Sequence, residues 1–257
     1  MSHDIWHNVN RTRASYQRSA IAIVRKALNL YYAPIFARLK DDLPNDGLIN
    51  SLDKEIIRQM FIDIHFLVGK KFAGGVFKSF MKKTQTFAED VFMFNVINSI
   101  DNEGAIMIQH VDDASKAIVR RVIAQEVKRG EGIPQIALEV SKAIKVINFK
   151  RGITIARTEV IRASNSGALT GANMTGLALN KEWISTLDGR TRRPELGEGG
   201  FDHYEKFPRG ADGEKVDKDD MFRGSGQALR YPADWQGSAA NTINCRCTLG
   251  FKRKIAI

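Results

Sequence analysis

Through about residue 178, apolar residues recur at intervals of three and four, the spacing that lines one face of an α-helix, with little of the alternation that marks a strand. Ile21, Val24, Leu28, Tyr31 and Ile35 predict a first helix, ended by the turn from Asp41 to Gly47, where Pro44 cannot continue it. This apolar face covers only about two heptads, which suits a bundle stripe better than a coiled coil. Ser51 is placed to cap a second helix carrying Leu52, Ile56, Met60, Ile64 and Leu67, which Gly74-Gly75 should break. A phenylalanine-rich segment from Phe87 to Ile100 should stop at Asp101-Asn102-Glu103-Gly104. Asp112 or Asp113 would cap the next helix, with Ile118, Val119, Val122, Ile123 and Val127 inward and Gly130 in the left-handed position that ends helices. Pro134 suits the first position of the following helix, which carries Ile136, Ala137, Val140 and Ile144. The pair has the outline of a helix-turn-helix. Its turn contains Glu131 and nothing marks a groove-reading face, so two helices of a bundle is the expectation.

From Phe149 onward Ala156, Val160, Ala163, Gly167 and Gly171 give a helix face of small side chains, which lets another backbone approach closely. Arg157, Glu159 and Arg162 read as an ion-pair ladder on the solvated side of that helix. The character changes near residue 180. Lys181-Glu182-Trp183-Ile184-Ser185-Thr186-Leu187 has the aromatic and β-branched content of a strand, and Asp188-Gly189 ends it. From Gly197 to Gly226 there are seven glycines and few aliphatic residues. A stretch this polar needs anchoring by a metal or a partner chain. A short strand returns between Thr242 and Phe251. The fold class expected is α+β: a largely helical N-terminal region over residues 1–110, then a compact, loop-rich α+β domain with a small sheet over residues 111–257.

Composition narrows the partners. The formal charge of +10 makes an acidic partner plausible, nucleic acid first. Residues 182–221 hold eleven Asp and Glu against seven Lys and Arg, so the positive excess lies elsewhere, including the tail Lys252-Arg253-Lys254. Two cysteines argue against a disulfide-built secreted domain. The first residues lack the basic-then-apolar pattern of a signal peptide, and no apolar run approaches the ~20 residues that span a bilayer. An intracellular product without a membrane partner is the expectation.

The two cysteines stand in Asn244-Cys245-Arg246-Cys247-Thr248-Leu249, where an extended backbone would turn both thiols to one face. Two readings stay open, a pair of metal-binding thiolates or two buried apolar side chains. Arg190, Arg192 and Arg193 form a compact cationic group. It could pair internally with Glu195 and Asp202, or meet phosphate or carboxylate on a partner.

Taken in order, these pieces resemble the head morphogenesis or minor capsid proteins of tailed phages typified by phage Mu protein F. The matching residues are Gly132-Ile133-Pro134-Gln135-Ile136-Ala137, Ile155-Ala156-Arg157-Thr158-Glu159 with Asn165, and Lys181 to Arg192 around Trp183. Asp212-Gly213-Glu214-Lys215-Val216, Met221-Phe222, Leu229-Arg230-Tyr231-Pro232-Ala233-Asp234 and Asn244 to Leu249 follow, so the likeness covers roughly residues 115–250. Family members carry a histidine soon after the second arginine of the Asp-x-Arg-Thr-Arg motif. Here Arg193-Pro194-Glu195 stands there, and His203 is matched to that position. A Cys-x-x-Cys pair that other members place after the tryptophan strand is missing.

The resemblance implies a minor structural protein of a phage or prophage head, at the portal or capsid interior, acting in head assembly and in DNA packaging or ejection. It would be made in the host cytoplasm and carried in the virion, with portal and capsid proteins and packaged double-stranded DNA as partners. No small-molecule substrate and no catalytic residue is expected. His203, Cys245 and Cys247, with Asp188 or Asp212 as a fourth ligand, would hold a structural zinc. Arg190, Arg192, Arg193, Lys252, Arg253 and Lys254 would contact DNA without sequence preference, or the portal. The alternative is a metal-dependent nuclease or toxin-like enzyme, with Asp188, His203 and Asp212 converging on a phosphate.

Overall fold

A computed structural model of the chain describes residues 2–193, 195, 201–204 and 214–254. Its helices are α1 (Ser2–Tyr31), α2 (Ala33–Arg38), α3 (Asp46–Asn50), α4 (Glu55–Ile64), α5 (Lys70–Phe80), α6 (Glu89–Ser99), α7 (Ala105–Lys128), α8 (Ile133–Met174) and α9 (Ala239–Thr242). The strands are β1 (Leu179–Ile184), β2 (Lys215–Asp217) and β3 (Thr248–Arg253). The α+β class and the helical N-terminal region agree with the sequence reading.

The helix α8 is the axis of the molecule. It runs unbroken for 42 residues, entered through Pro134 as anticipated, and joins that helix to the small-faced helical stretch expected from Phe149 onward. The helices α1, α5 and α7 pack against it. The small face works as the sequence implied. A Cβ built on Gly167 would lie 2.6 Å from Gly69 Cα, and one on Gly171 would lie 2.7 Å from Ala73 Cα, so these backbones touch directly. That contact explains why Gly74-Gly75 does not break its helix. Each glycine costs roughly 1 kcal/mol of helix propensity, but α4 continues through the π-helical turn His65–Gly69 into α5 because burial of this face against α8 outweighs the cost.

Two other predicted boundaries fail for related reasons. Asp101-Asn102-Glu103-Gly104 does not interrupt the chain; it belongs to a second π-helical turn, Ile100–Gly104, that joins α6 to α7. Gly104 leaves room there for the Trp235 indole, 3.3 Å from where a Cβ would stand, and Arg58 and Arg230 bind Asp101 and Glu103. Asp112 is not a cap. It is buried within α7, where Tyr31 Oη donates to it at 2.5 Å and Lys116 at 2.8 Å. Ser51 follows α3 at its C-terminal end, and the first turn of α4 is held by the Asp53 carboxylate accepting from the Glu55 amide at 2.9 Å. Gly130 has the left-handed φ of 79° that was expected.

The sheet is antiparallel in the order β2-β1-β3, with Trp183 opposite Leu249 and Lys181 opposite Phe251. One core cluster runs from Ala20 to Ala163 and takes in Trp235. A second joins Ile161 and Leu169 of α8 to Trp183, Phe222, Leu229, Tyr231, Cys245, Cys247 and Leu249. Residue 110, where a division was expected, lies inside α7.

Candidate metal centre

The loop-rich end of the molecule is organised around three side chains. His203, Cys245 and Cys247 are buried, and their ligand atoms lie within 4.8 Å of one another. Both Sγ atoms are 3.7 Å from His203 Nδ1. Ligands on a tetrahedral zinc, at about 2.3 Å for sulfur and about 2.0 Å for nitrogen, sit about 3.6 Å apart, so both nitrogen-to-sulfur distances already match such a site. The cysteines carry no disulfide.

Each donor is aimed by its neighbours. His203 Nε2 is 2.6 Å from Asn241 Oδ1, while the Asn241 amide nitrogen donates to Gln227 Oε1 at 3.0 Å and Ser225 Oγ at 3.3 Å. With both amide protons used, the Asn241 oxygen accepts from Nε2, which leaves the Nδ1 lone pair facing the two sulfurs. Ser185, at the end of β1, donates its hydroxyl to the His203 carbonyl and lies 3.4 Å from Cys247 Sγ. Trp183 meets the imidazole edge-on at 5.3 Å. The segment carrying the cysteines enters through Asn244, whose left-handed φ of 58° turns its N–H to Thr158 Oγ1 at 3.2 Å. Arg13, from the opposite end of the chain, donates to the carbonyls of Arg246 and Cys247 at 3.3 and 3.2 Å. Asn165 donates to the carbonyls of Pro232 and Cys247 at 3.0 and 3.1 Å.

The two thiols differ. Its hydrogen bond to Cys247, together with burial, pushes the Cys245 thiol well up. Burial opposes charge on Cys247 too, but its hydrogen bonding, above all with Cys245, outweighs it and pulls that thiol well down.

Asp188 is not among the three donors brought together. Arg246 binds it as a fork, with one contact at 2.5 Å, and above all that hydrogen bonding holds its carboxyl below the usual range. Asp212 and Gly213 lie outside the described residues. The cationic group also divides. The Arg190 guanidinium is exposed, 4.0 Å from Asp188. Arg192 donates to the carbonyls of Ala240, at 2.6 Å, and Ile243, and so ties down the end of α9. Arg193 lies over the Tyr204 ring at 3.7 Å. Lys252 is 3.5 Å from Glu182, Arg253 donates to the Phe80 carbonyl at 2.8 Å, and Lys254 pairs with Asp217.

The expected solvated ladder on α8 is corrected. Arg157 is exposed, but Glu159 and Arg162 are buried and bind each other. His65 lies 3.1 Å from Glu159, Arg162 donates to the Ala233 carbonyl at 2.8 Å, and its guanidinium lies 4.1 Å from the Trp235 ring centre. Burial alone would raise the Glu159 carboxyl, yet the charge of Arg162 and the hydrogen bond from His65 hold it low. These residues clamp the helical bundle to the loop-rich end. Spacing misassigned them because Glu159 and Arg162 share a helix face with small residues, and only the partner elements show that this face is covered. Arg13, Asn241, His65 and Trp235 were missed altogether. Asn241 stands four residues before Cys245, a weak local signal; the others had none.

With the geometry described, comparison with known proteins decides the family. The model of the phage Mu protein F like family matches residues 117–250, a little over half of the chain. The chain belongs to this family. The match spans α8, β1, β2, the first half of β3, His203 and both cysteines, so the metal-donor cluster and the Glu159–Arg162 clamp lie within the family region. The chain is also similar to the NAD(+)--arginine ADP-ribosyltransferase EFV of Enterococcus faecalis (strain ATCC 700802 / V583), 27% identical over 145 residues. That stretch is 55% of this chain and 26% of the relative, so the chain spans about a quarter of that protein. No solved structure matches.

Proposed function

We propose that the chain is a minor head protein, held at the portal vertex or capsid interior, whose loop-rich end is cross-linked by a structural zinc ion on His203, Cys245 and Cys247. Membership of the phage Mu protein F like family carries the head role. The donors fit a metal because an aimed histidine lone pair and two sulfurs share one buried point, and because the surrounding loops offer few aliphatic residues to hold themselves together. A bound zinc would supply cross-linking there, and the burial of all three donors favours a structural over a hydrolytic role. Portal and capsid proteins are the partners this reading requires, and packaged DNA would be met through exposed guanidinium groups such as those of Arg157 and Arg190.

The likeness to an ADP-ribosyltransferase is the one observation that favours a toxin-like enzyme. It covers a quarter of that protein, which leaves three quarters of it with no counterpart in the aligned stretch. Purified heads of the phage or prophage encoding the chain should contain it in a few copies by quantitative mass spectrometry, and its deletion should lower the yield of filled heads. A protein absent from heads, with normal yields from the deletion, would refute the head role.

A further inference from the structure

A cleft of about 520 Å³ opens between α1, α8 and the loops carrying Arg190 and Arg246. Four arginines line it, Arg13, Arg157, Arg190 and Arg246, with the amides of Asn10, Gln17 and Asn244 among the other polar groups and Ala14, Val160 and Ile161 supplying an apolar wall. No carboxylate lines the cleft among the described residues; Asp188 stands behind Arg246, whose fork occupies it.

The charge on this wall is balanced only in part: Asp188 pairs with Arg246, while no carboxylate among the described residues is within hydrogen-bond reach of the Arg13, Arg157 or Arg190 guanidinium groups. Arg13 is 4% exposed, and its partners are the neutral Ser164 and Thr248 hydroxyls, the Asn165 amide oxygen and backbone carbonyls. Arg157 is exposed, and the Arg190 guanidinium comes no closer than 4.0 Å to Asp188. Among the described residues neither guanidinium donates a hydrogen bond, so both can offer donors to a ligand.

We propose that this cleft binds a phosphate group carried on a nucleotide unit, with Arg157 and Arg190 closing on the phosphate oxygens, Arg13 and Arg246 supplying fixed positive charge behind them, and the amides meeting the sugar or base. Guanidinium groups pair with phosphate oxygens two at a time. The volume suits a nucleotide, where a bare inorganic anion would leave most of the cleft to water. The inference deepens the DNA contact proposed above at Arg157 and Arg190 and does not rest on the head role, so binding can fail while the protein is still found in heads.

Isothermal titration calorimetry of the full chain would use dAMP, inorganic phosphate and a short DNA duplex with and without 5′-phosphates. The Arg157→Ala/Arg190→Ala double variant should lose at least tenfold in affinity for whichever nucleotide form binds. Arg121→Ala, at an exposed arginine of α7, should change it less than twofold. Because both cleft residues are exposed, the melting temperature should be unchanged. Binding of dAMP would identify a free nucleotide, and binding of the duplex alone would identify a strand. No binding of either, equal binding by the double variant, or inorganic phosphate binding as tightly as dAMP would overturn the proposal.

Discussion

Two glycine-to-alanine substitutions, one on each of two touching helices, should change stability in opposite directions. At Gly171 a new Cβ would lie 2.7 Å from Ala73 Cα, where carbon atoms in contact sit at about 3.5–4.0 Å. The obstacle is backbone and cannot rotate away, so α8 and α5 must part by about 1 Å. The Gly69–Gly167 contact one turn away would loosen with them. Overpacking of this kind costs about 1–3 kcal/mol and sits at the upper end where backbone is the neighbour, while alanine returns about 1 kcal/mol of helix propensity. A net loss of about 2 kcal/mol should lower Tm by roughly 4–8 °C in a chain of this size. Gly75 lies in α5 with nothing within 4 Å of its would-be Cβ. There alanine brings the propensity gain alone, about 1 kcal/mol, or roughly 2–4 °C. Thermal and urea unfolding followed by far-UV circular dichroism would measure both. A Gly171→Ala protein as stable as wild type would refute the close backbone contact on which the helical half is built, and a Gly75→Ala protein less stable would refute the open position of Gly75.

The clamp should be acid-sensitive in two windows. Burial lowers the His65 pKa below its ordinary 6.5, so the unfolded chain holds more protons there and stability should fall as pH drops from about 7 through 6; His65→Gln should flatten that slope in urea melts. The Glu159 carboxyl is depressed below its ordinary 4.5, so its contribution is present above that value and lost as pH falls through the lower folded pKa; Glu159→Gln should remove that second loss. Arg162→Ala, which strands Glu159 in the interior, should cost about 3–5 kcal/mol by chemical denaturation, and Arg162→Met with Glu159→Gln should cost distinctly less. A chelator should lower the Tm of the wild-type protein and leave that of Cys245→Ser unchanged.

Much of the fold was legible because its causes are local. The three- and four-residue spacing gave the helices, Gly130 and Pro134 gave the turn between α7 and α8, and the tryptophan strand stood out by composition. Breaks were overcalled where glycine or acidic runs have distant partners. The helix carrying Gly74-Gly75 is held by α8 through Gly69 and Ala73, Asp101 by Arg58, and Gly104 by Trp235, and no window of sequence contains both sides of those contacts. The site divides in the same way. His203, Cys245 and Cys247 could be named from residue type and family order and do converge, whereas Asp188, named beside them, is bound by Arg246. Arg13 reaches the Cys-Arg-Cys backbone from more than two hundred residues away, and only the folded chain reveals it.

Metal content, measured by inductively coupled plasma mass spectrometry on protein purified without chelators, tests the centre of this account most directly. One zinc per chain, absent from the Cys245→Ser/Cys247→Ser variant along with a large drop in Tm, is the result expected. Metal-free protein that melts as the double variant does, and gains no stability from added zinc, would contradict the account and leave the two cysteines as apolar side chains of the smaller core.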